Sequence, residues 1–175
     1  MPEKQLLTDL EQIAALSIER GAENDLFMEK VRQLDPAMVD SWVNQLNEKI
    51  APAIDCTSCG NCCKTLMINV TDKEADRLSI HLNINRSNFD EQYMEKGSNG
   101  MMLMNAIPCS FLQDNKCTVY ESRFEGCREF PAMHIPGFSK RIFTTLMHYG
   151  RCPIIFNVIE EMKKMDDVRS QMSDF

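Results

Sequence analysis

Four cysteines fall within eight residues, in Cys56-Thr57-Ser58-Cys59-Gly60-Asn61-Cys62-Cys63, and four more follow at Cys109, Cys117, Cys127 and Cys152. No other feature constrains the fold as strongly, because eight thiols in 175 residues must be cross-linked, ligated or buried. The chain opens Met1-Pro2-Glu3-Lys4-Gln5, with no basic stretch leading into an apolar core. That predicts no secretory signal and a reducing, cytoplasmic setting, where structural disulfides are disfavoured. The thiols then read as ligands of a metal centre.

The spacing supports this. A C-x2-C turn presents two sulfurs to one ion, with backbone amides facing inward to soften the thiolate charge. Gly60 lets the backbone come close without a side-chain clash. A run C-x2-C-x2-C resembles the opening of ferredoxin-type ligation, whose remaining ligand is remote and precedes a proline. Cys152-Pro153 is the one Cys-Pro step in the chain. One partition therefore gives Cys56, Cys59, Cys62 and Cys152 to an iron–sulfur cluster of the 4Fe-4S type. Cys63, Cys109, Cys117 and Cys127 are left for a second site, such as zinc. The other partition spreads two zinc ions over all eight thiolates. Adjacent residues such as Cys62 and Cys63 usually point in different directions, which suits two centres. A radical S-adenosylmethionine site is excluded: Cys59 and Cys63 give C-x3-C, but Leu66 stands where the third ligand belongs.

Composition removes other classes. The formal net charge is −7, so there is no basic footprint for nucleic acid. No apolar run approaches the roughly 18 residues of a spanning helix, so no membrane partner is expected. Hydrophobic residues make up 43% of the chain, enough for one packed domain with an appendage.

The predicted fold is mainly α with a small β-hairpin: N-terminal helices over residues 1–52, then an irregular, metal-centred cysteine domain over 53–175 with a C-terminal helix. Leu6, Leu10, Ile13, Ala14 and Ser17, widened by Leu7 and Leu16, mark a first helix ended by Gly21. Leu26, Phe27, Val31 and Leu34 mark a second. A third opens at Pro36 with Asp35 as N-cap and buries Val39, Trp42, Val43, Leu46 and Ile50. Thr71 and Glu74 form a capping box for a helix through about His81. Residues 87–96 make a short helix with Phe89 and Tyr93 on one face, followed by a loop over 97–100. Residues 108–120 make the hairpin, with its turn at Gln113-Asp114-Asn115-Lys116. Residues 139–147 read as extended, and 153–170 as an amphipathic helix opened by Pro153.

The motifs Cys56-x2-Cys59-Gly60-x-Cys62-Cys63, Pro108-Cys109-x-Phe111-Leu112, Lys116-Cys117-Thr118-Val119-Tyr120-Glu121 and Cys127-Arg128-x-Phe130-Pro131 together resemble the YkgJ-like cysteine-cluster family, a zinc- or iron-chelating domain with the signature CxxCxxCC. The resemblance covers about residues 55 to 155. It implies a small metal-binding protein, often of the iron–sulfur kind, and a related cluster occurs in flagellin lysine methylases. Where the family has Arg-Pro after the Tyr-Glu step, this chain has Ser122-Arg123-Phe124.

Arg128, and less strongly Arg123 and Arg151, are candidates to donate to the thiolates. Tyr120 and Phe130 are candidates to shield the centre from water. His148, four residues before Cys152, is the best substitute ligand, whereas His81 and His134 have no partner signal. The 13 methionines read as packing residues. No Ser-His-Asp order, phosphate loop, H-E-x-x-H or G-x-G-x-x-G is present, so no catalytic residue is assigned. The leading expectation is a metal-binding protein with a structural, metal-handling or electron-transfer role, in which loss of metal unfolds residues 55–155. The rivals are an enzyme related to the methylase branch, and an interaction module, stabilised by structural zinc, that binds a protein through its N-terminal helices.

Overall fold

The computed structural model describes residues 6–98, 100–165 and 168. In chain order the helices are α1 (Leu10–Glu19), α2 (Gly21–Gln33), α3 (Pro36–Ile50), α4 (Cys56–Cys59), α5 (Asn61–Thr65), α6 (Asp72–His81), α7 (Arg86–Tyr93), α8 (Glu125–Glu129), α9 (Phe138–Leu146) and α10 (Pro153–Met162). The strands are β1 (Asn69–Val70), β2 (Met94–Lys96), β3 (Met102–Met104), β4 (Leu112–Gln113) and β5 (Lys116–Cys117). The chain is mainly α with small antiparallel sheets. It divides into two compact units, one of residues 1–54 with 131–175 and one of residues 55–130.

In the first unit, α3 packs against α9 and α10, α2 packs against α9, and α1 touches both α2 and α10. Asp35 caps α3 by accepting from Met38 N at 2.9 Å, and Pro36 opens the helix, as the sequence predicts. Val39, Val43 and Ile50 are buried, and Trp42 is half-buried. Gly21 begins α2 rather than ending α1, with Arg20 as the joint between them. The extended reading of 139–147 is corrected to helix α9. Ile142, Thr144 and Thr145 are β-branched and favour strands when isolated. Here Phe138, Ser139, Ile142 and Thr145 are the buried set, a helical spacing. Asp40 then caps the helix, its carboxylate accepting from Gly137 N at 2.8 Å and Phe138 N at 2.9 Å. Helix α10 is buried from Pro153 to Ile159 on every face, rather than amphipathic. Its polar Asn157 is satisfied: Oδ1 accepts from Leu7 N, and Nδ2 donates to Leu7 O and Pro153 O. The helix expected over 153–170 is formed through Met162, and residues 166, 167, 169 and 170 lie outside the described residues. So do Met1 to Gln5 and Asn99.

In the second unit, strands pair in the order β1-β3-β2, with Val70 opposite Met102 and Met94 opposite Met104. Helix α7 packs against β2, and α6 packs against α7. Thr71 and Glu74 form the predicted capping box at the head of α6. Arg86 ties the two helices together by ion pairs to Asp72, Asp76 and Asp90. The helix expected through residue 96 ends at Tyr93, because Met94 to Lys96 pair with β3. The core is Val70, Ala75, Leu78, Phe89, Met104, Phe111, Val119 and Phe124. Tyr93 packs its ring on Phe89 and Phe111, with centroids 5.3 and 4.9 Å away. The expected hairpin is present as β4 and β5, Leu112 opposite Cys117. Asp114 and Asn115 both have positive φ, 49° and 63°, as a two-residue turn matched to strand twist requires.

The expected division set residues 131–175 with the cysteine domain, whereas here they cluster with the N-terminal helices. Among the described residues no helix is long and apolar enough to cross a membrane.

Candidate metal centre

Asp55 starts the site by capping α4, its carboxylate accepting from Thr57 N at 2.9 Å and Thr57 Oγ1 at 2.6 Å. One turn of helix places Cys56 and Cys59 three residues apart. Gly60 then stops α4 in the left-handed region, φ 58°, with its N–H on Cys56 O at 3.0 Å. The chain restarts as α5, which carries Cys62 and Cys63 in its first turn. The remaining cysteines come from three other elements. Cys109 precedes β4 and donates its backbone N–H to Cys63 O at 2.8 Å. Cys117 lies on β5, and Cys127 lies on α8 with its N–H on Phe124 O at 3.0 Å. Cys109, Cys117 and Cys127 pack against the hydrophobic core of the unit, which sets one side of the site in apolar surroundings.

Seven of the eight predicted ligands therefore lie in one compact unit. None of the seven is in a disulfide. Their sulfurs feel one another's charge: Cys62 acts on Cys56, Cys63, Cys109 and Cys127, and Cys117 acts on Cys109 and Cys127. Cys62 and Cys63 have their Sγ atoms 4.0 Å apart. Adjacent residues were expected to point apart, whereas here the two sulfurs face each other. Cys152 belongs to the other unit, where it is buried at the head of α10.

The thiols differ in their hold on protons. The hydrogen bond from Cys63 stabilises the Cys62 thiolate and brings Cys62 down to about 6, against the opposing effect of burial. The same bond, then burial, pushes Cys63 up. Burial, and then the charge of Cys109, raises Cys127 to about 12. Burial also raises Cys109, against the Phe111 N–H, and it raises Cys56 with help from Cys62. The patch favours one thiolate and resists more, so loading a cation onto several sulfurs releases protons.

A family model with the description "CxxCxxCC: Putative zinc- or iron-chelating domain" matches residues 55–167. The chain belongs to the CxxCxxCC family. No curated protein matches the chain, and neither does any solved structure. The CxxCxxCC match spans all eight cysteines, and its description supports metal binding.

The donor set fits that description. Clustered thiolates take soft or borderline ions such as zinc and iron–sulfur iron. Two sulfurs on one zinc, each about 2.3 Å from it, stand about 3.8 Å apart, close to the 4.0 Å between Cys62 and Cys63. As the side chains stand, no three Cys, His, Asp or Glu groups among the described residues converge on a single ion. Protonated thiols have no reason to converge, and a cysteine moves its sulfur by rotation between staggered χ1 wells. The clustering, rather than the present rotamers, is therefore the guide to ligation.

Other sequence candidates are placed differently from expectation. Arg128 donates to Arg123 O and Glu121 O, so its guanidinium serves the backbone rather than a sulfur. Arg123 is the cation whose charge acts on Cys127, and it lies 3.8 Å over the Tyr120 ring. Tyr120 itself is 46% exposed and does not shield the centre. Phe111, Val119 and Phe124 are the buried apolar side chains there. His148 and Arg151 lie in the other unit, and burial, then Arg151, lowers His148. Two contributors were missed. Asp55 was readable as an N-cap one residue before the first cysteine. The second role of Glu74, accepting from Glu125 N at the start of α8, had no local signal because the residues lie 51 apart.

Proposed function

We propose that this CxxCxxCC protein holds a metal on thiolates drawn from Cys56, Cys59, Cys62, Cys63, Cys109, Cys117 and Cys127, and that the metal fastens elements that the hydrophobic core does not. The observation that carries this reading is the collection of seven thiols from five elements and loops of one compact unit. Neither α4 nor α5 contains a buried residue among its own positions, so ligation supplies what packing lacks there. Seven thiols also exceed the four that one tetrahedral ion takes, which leaves room for a second centre or for passing metal between sulfurs. Such a set works in a reducing compartment, and the cytoplasm suits it.

The gathering of seven thiols in one unit favours a single-ion seat of the zinc type, because four of them complete a tetrahedral site without a ligand from elsewhere. A second reading is an iron–sulfur cluster on Cys56, Cys59, Cys62 and Cys152. The C-x2-C-x2-C run and the Cys152-Pro153 step support it. The bound group would supply Lewis acidity in the first case and one-electron redox chemistry in the second. Anaerobic purification, metal analysis, acid-labile sulfide determination and an ultraviolet–visible spectrum decide between them. Zinc without sulfide supports the first reading, and iron with comparable sulfide supports the second. A chain that takes up neither metal overturns both.

A further inference from the structure

We infer that Gly60 and Asn115 form a latch that seats the four-cysteine segment on the hairpin tip, and that this contact between two non-ligands sets the affinity of the metal centre. The inference rests on the metal-binding reading above.

The segment from Cys56 to Thr65 carries four thiols but buries no side chain of α4 or α5. Gly60, between the two helices, is buried instead. Its burial comes from the hairpin. A Cβ built on Gly60 would lie 3.0 Å from Asn115 O and 3.2 Å from both Asn115 Cα and Cβ. Two of those atoms are backbone and cannot swing away. The hairpin tip is itself held in shape by Asp114 and Asn115, both in the left-handed region. So Gly60 meets a preformed surface. Cys117 follows the tip by two residues, and Cys109 precedes the hairpin with its carbonyl accepting from Leu112 N at 2.9 Å. Docking Gly60 on Asn115 therefore carries Cys56, Cys59, Cys62 and Cys63 to the hairpin's own thiols. The Cys109 N–H to Cys63 O bond is a second tie at the far end of the segment. With the latch undone, the two groups of sulfurs have to be brought together by the metal alone, at the expense of its binding energy.

Gly60→Ala tests this in the full chain, with zinc affinity read by competition against a chromophoric chelator. Adding a Cβ both strains φ 58° and opens the contact, so affinity falls at least about tenfold. Gly100→Ala is the control: Gly100 has φ 80° in the same unit, but a Cβ there meets nothing within 4 Å. It leaves affinity unchanged. Asn115→Gly keeps the positive φ and removes the Cβ, so it recovers part of the loss when combined with Gly60→Ala; the double-mutant cycle shows coupling between the sites. Wild-type affinity in Gly60→Ala, an equal loss in Gly100→Ala, or strict additivity of the two substitutions each overturns the latch. If Gly60→Ala does not fold, hydrogen exchange on the native chain decides. Zinc must then slow exchange at the Gly60 and Leu66 amides by a larger factor than at Ala75 and Phe89, and equal effects on all four overturn the inference. A native chain that binds neither zinc nor iron instead defeats the metal reading itself.

Discussion

Glu74 Oε1 accepts the backbone N–H of Glu125 at 2.6 Å, while Oε2 of the same carboxylate accepts the N–H and the hydroxyl of Thr71 at 2.9 and 2.6 Å. One side chain thus closes the cap of α6 and fastens the start of α8, the helix that carries Cys127. Local sequence grammar and the long-range placement of a ligand meet in one buried carboxylate.

Glu74→Gln keeps the shape but loses an acceptor and the charge, and should destabilise the fold by about 1–2 kcal/mol at neutral pH. Burial pushes the Glu74 carboxyl up, but the Glu125 and Thr71 donors outweigh it and hold it below its ordinary value. The contribution is therefore fully present above about pH 4.3 and is lost as pH falls through the lower folded value. Urea unfolding of both proteins from pH 6 to pH 3 checks this. The gap between them should close on acidification, and a constant gap would refute the charged role.

The first unit contains a comparable device without a cysteine. Glu160 accepts from Tyr149 OH at 2.7 Å and from Lys163 Nζ at 3.0 Å, and it pairs with Arg20. The Lys163 side chain is only 5% exposed, and Glu23 reaches it at 3.2 Å. Glu160→Gln leaves the buried Lys163 short of one counter-charge and takes the ion-pair partner from the part-exposed Arg20, and should cost about 3 kcal/mol. Tyr149→Phe removes one hydrogen bond and should cost about 1 kcal/mol. Denaturant midpoints of the two variants give the order, and equal losses would show that the hydroxyl rather than the ion cluster dominates.

How far the sequence discloses this molecule depends on the range of each interaction. The cysteine run, the Asp35 cap and the Thr71–Glu74 box are legible because spacing of a few residues carries their whole meaning. The Asp114-Asn115 turn is legible for the same reason. Helix α9 is misread because Ile142, Thr144 and Thr145 carry strand propensity locally, while the burial that overrides it comes from α2 and α3, about a hundred residues earlier. The sheet β1-β3-β2 escapes notice because strands of two or three residues are too short to show alternation. Nor does any local pattern reveal that residues 131–175 close on the first 54.

Cys152 separates the two readings of the metal. The thiols of residues 55–130 are enough for a tetrahedral ion with none from outside, whereas the ferredoxin-like assignment needs Cys152 as its fourth ligand. On the zinc reading Cys152→Ser keeps the bound metal, and Cys62→Ser or Cys63→Ser reduces it by at least half. Metal content per chain after gel filtration is the measurement. Loss of metal in Cys152→Ser, with metal retained in Cys63→Ser, would reverse the assignment.

Metal removal offers a sharper test than the sequence alone suggests. Thiol density implied that residues 55–155 depend on the ion for folding. The second unit, however, has a closed apolar core of Val70, Ala75, Leu78, Phe89, Met104, Phe111, Val119 and Phe124, whereas α4 and α5 contribute no buried residue. Hydrophobic burial of aromatic and branched side chains is worth roughly 1.5–3 kcal/mol each, and none of it requires a ligand. Chelation therefore withdraws the mass-action stabilisation, about 4 kcal/mol at a metal concentration a thousandfold above Kd, without dissolving that core. The expected result is a lower melting temperature, with most far-ultraviolet circular dichroism retained at 25 °C and new tryptic cleavage after Lys64. Collapse of the helical signal on chelation would show that the core cannot stand alone. An unchanged melting temperature and cleavage pattern would show that the metal does not fasten the segment.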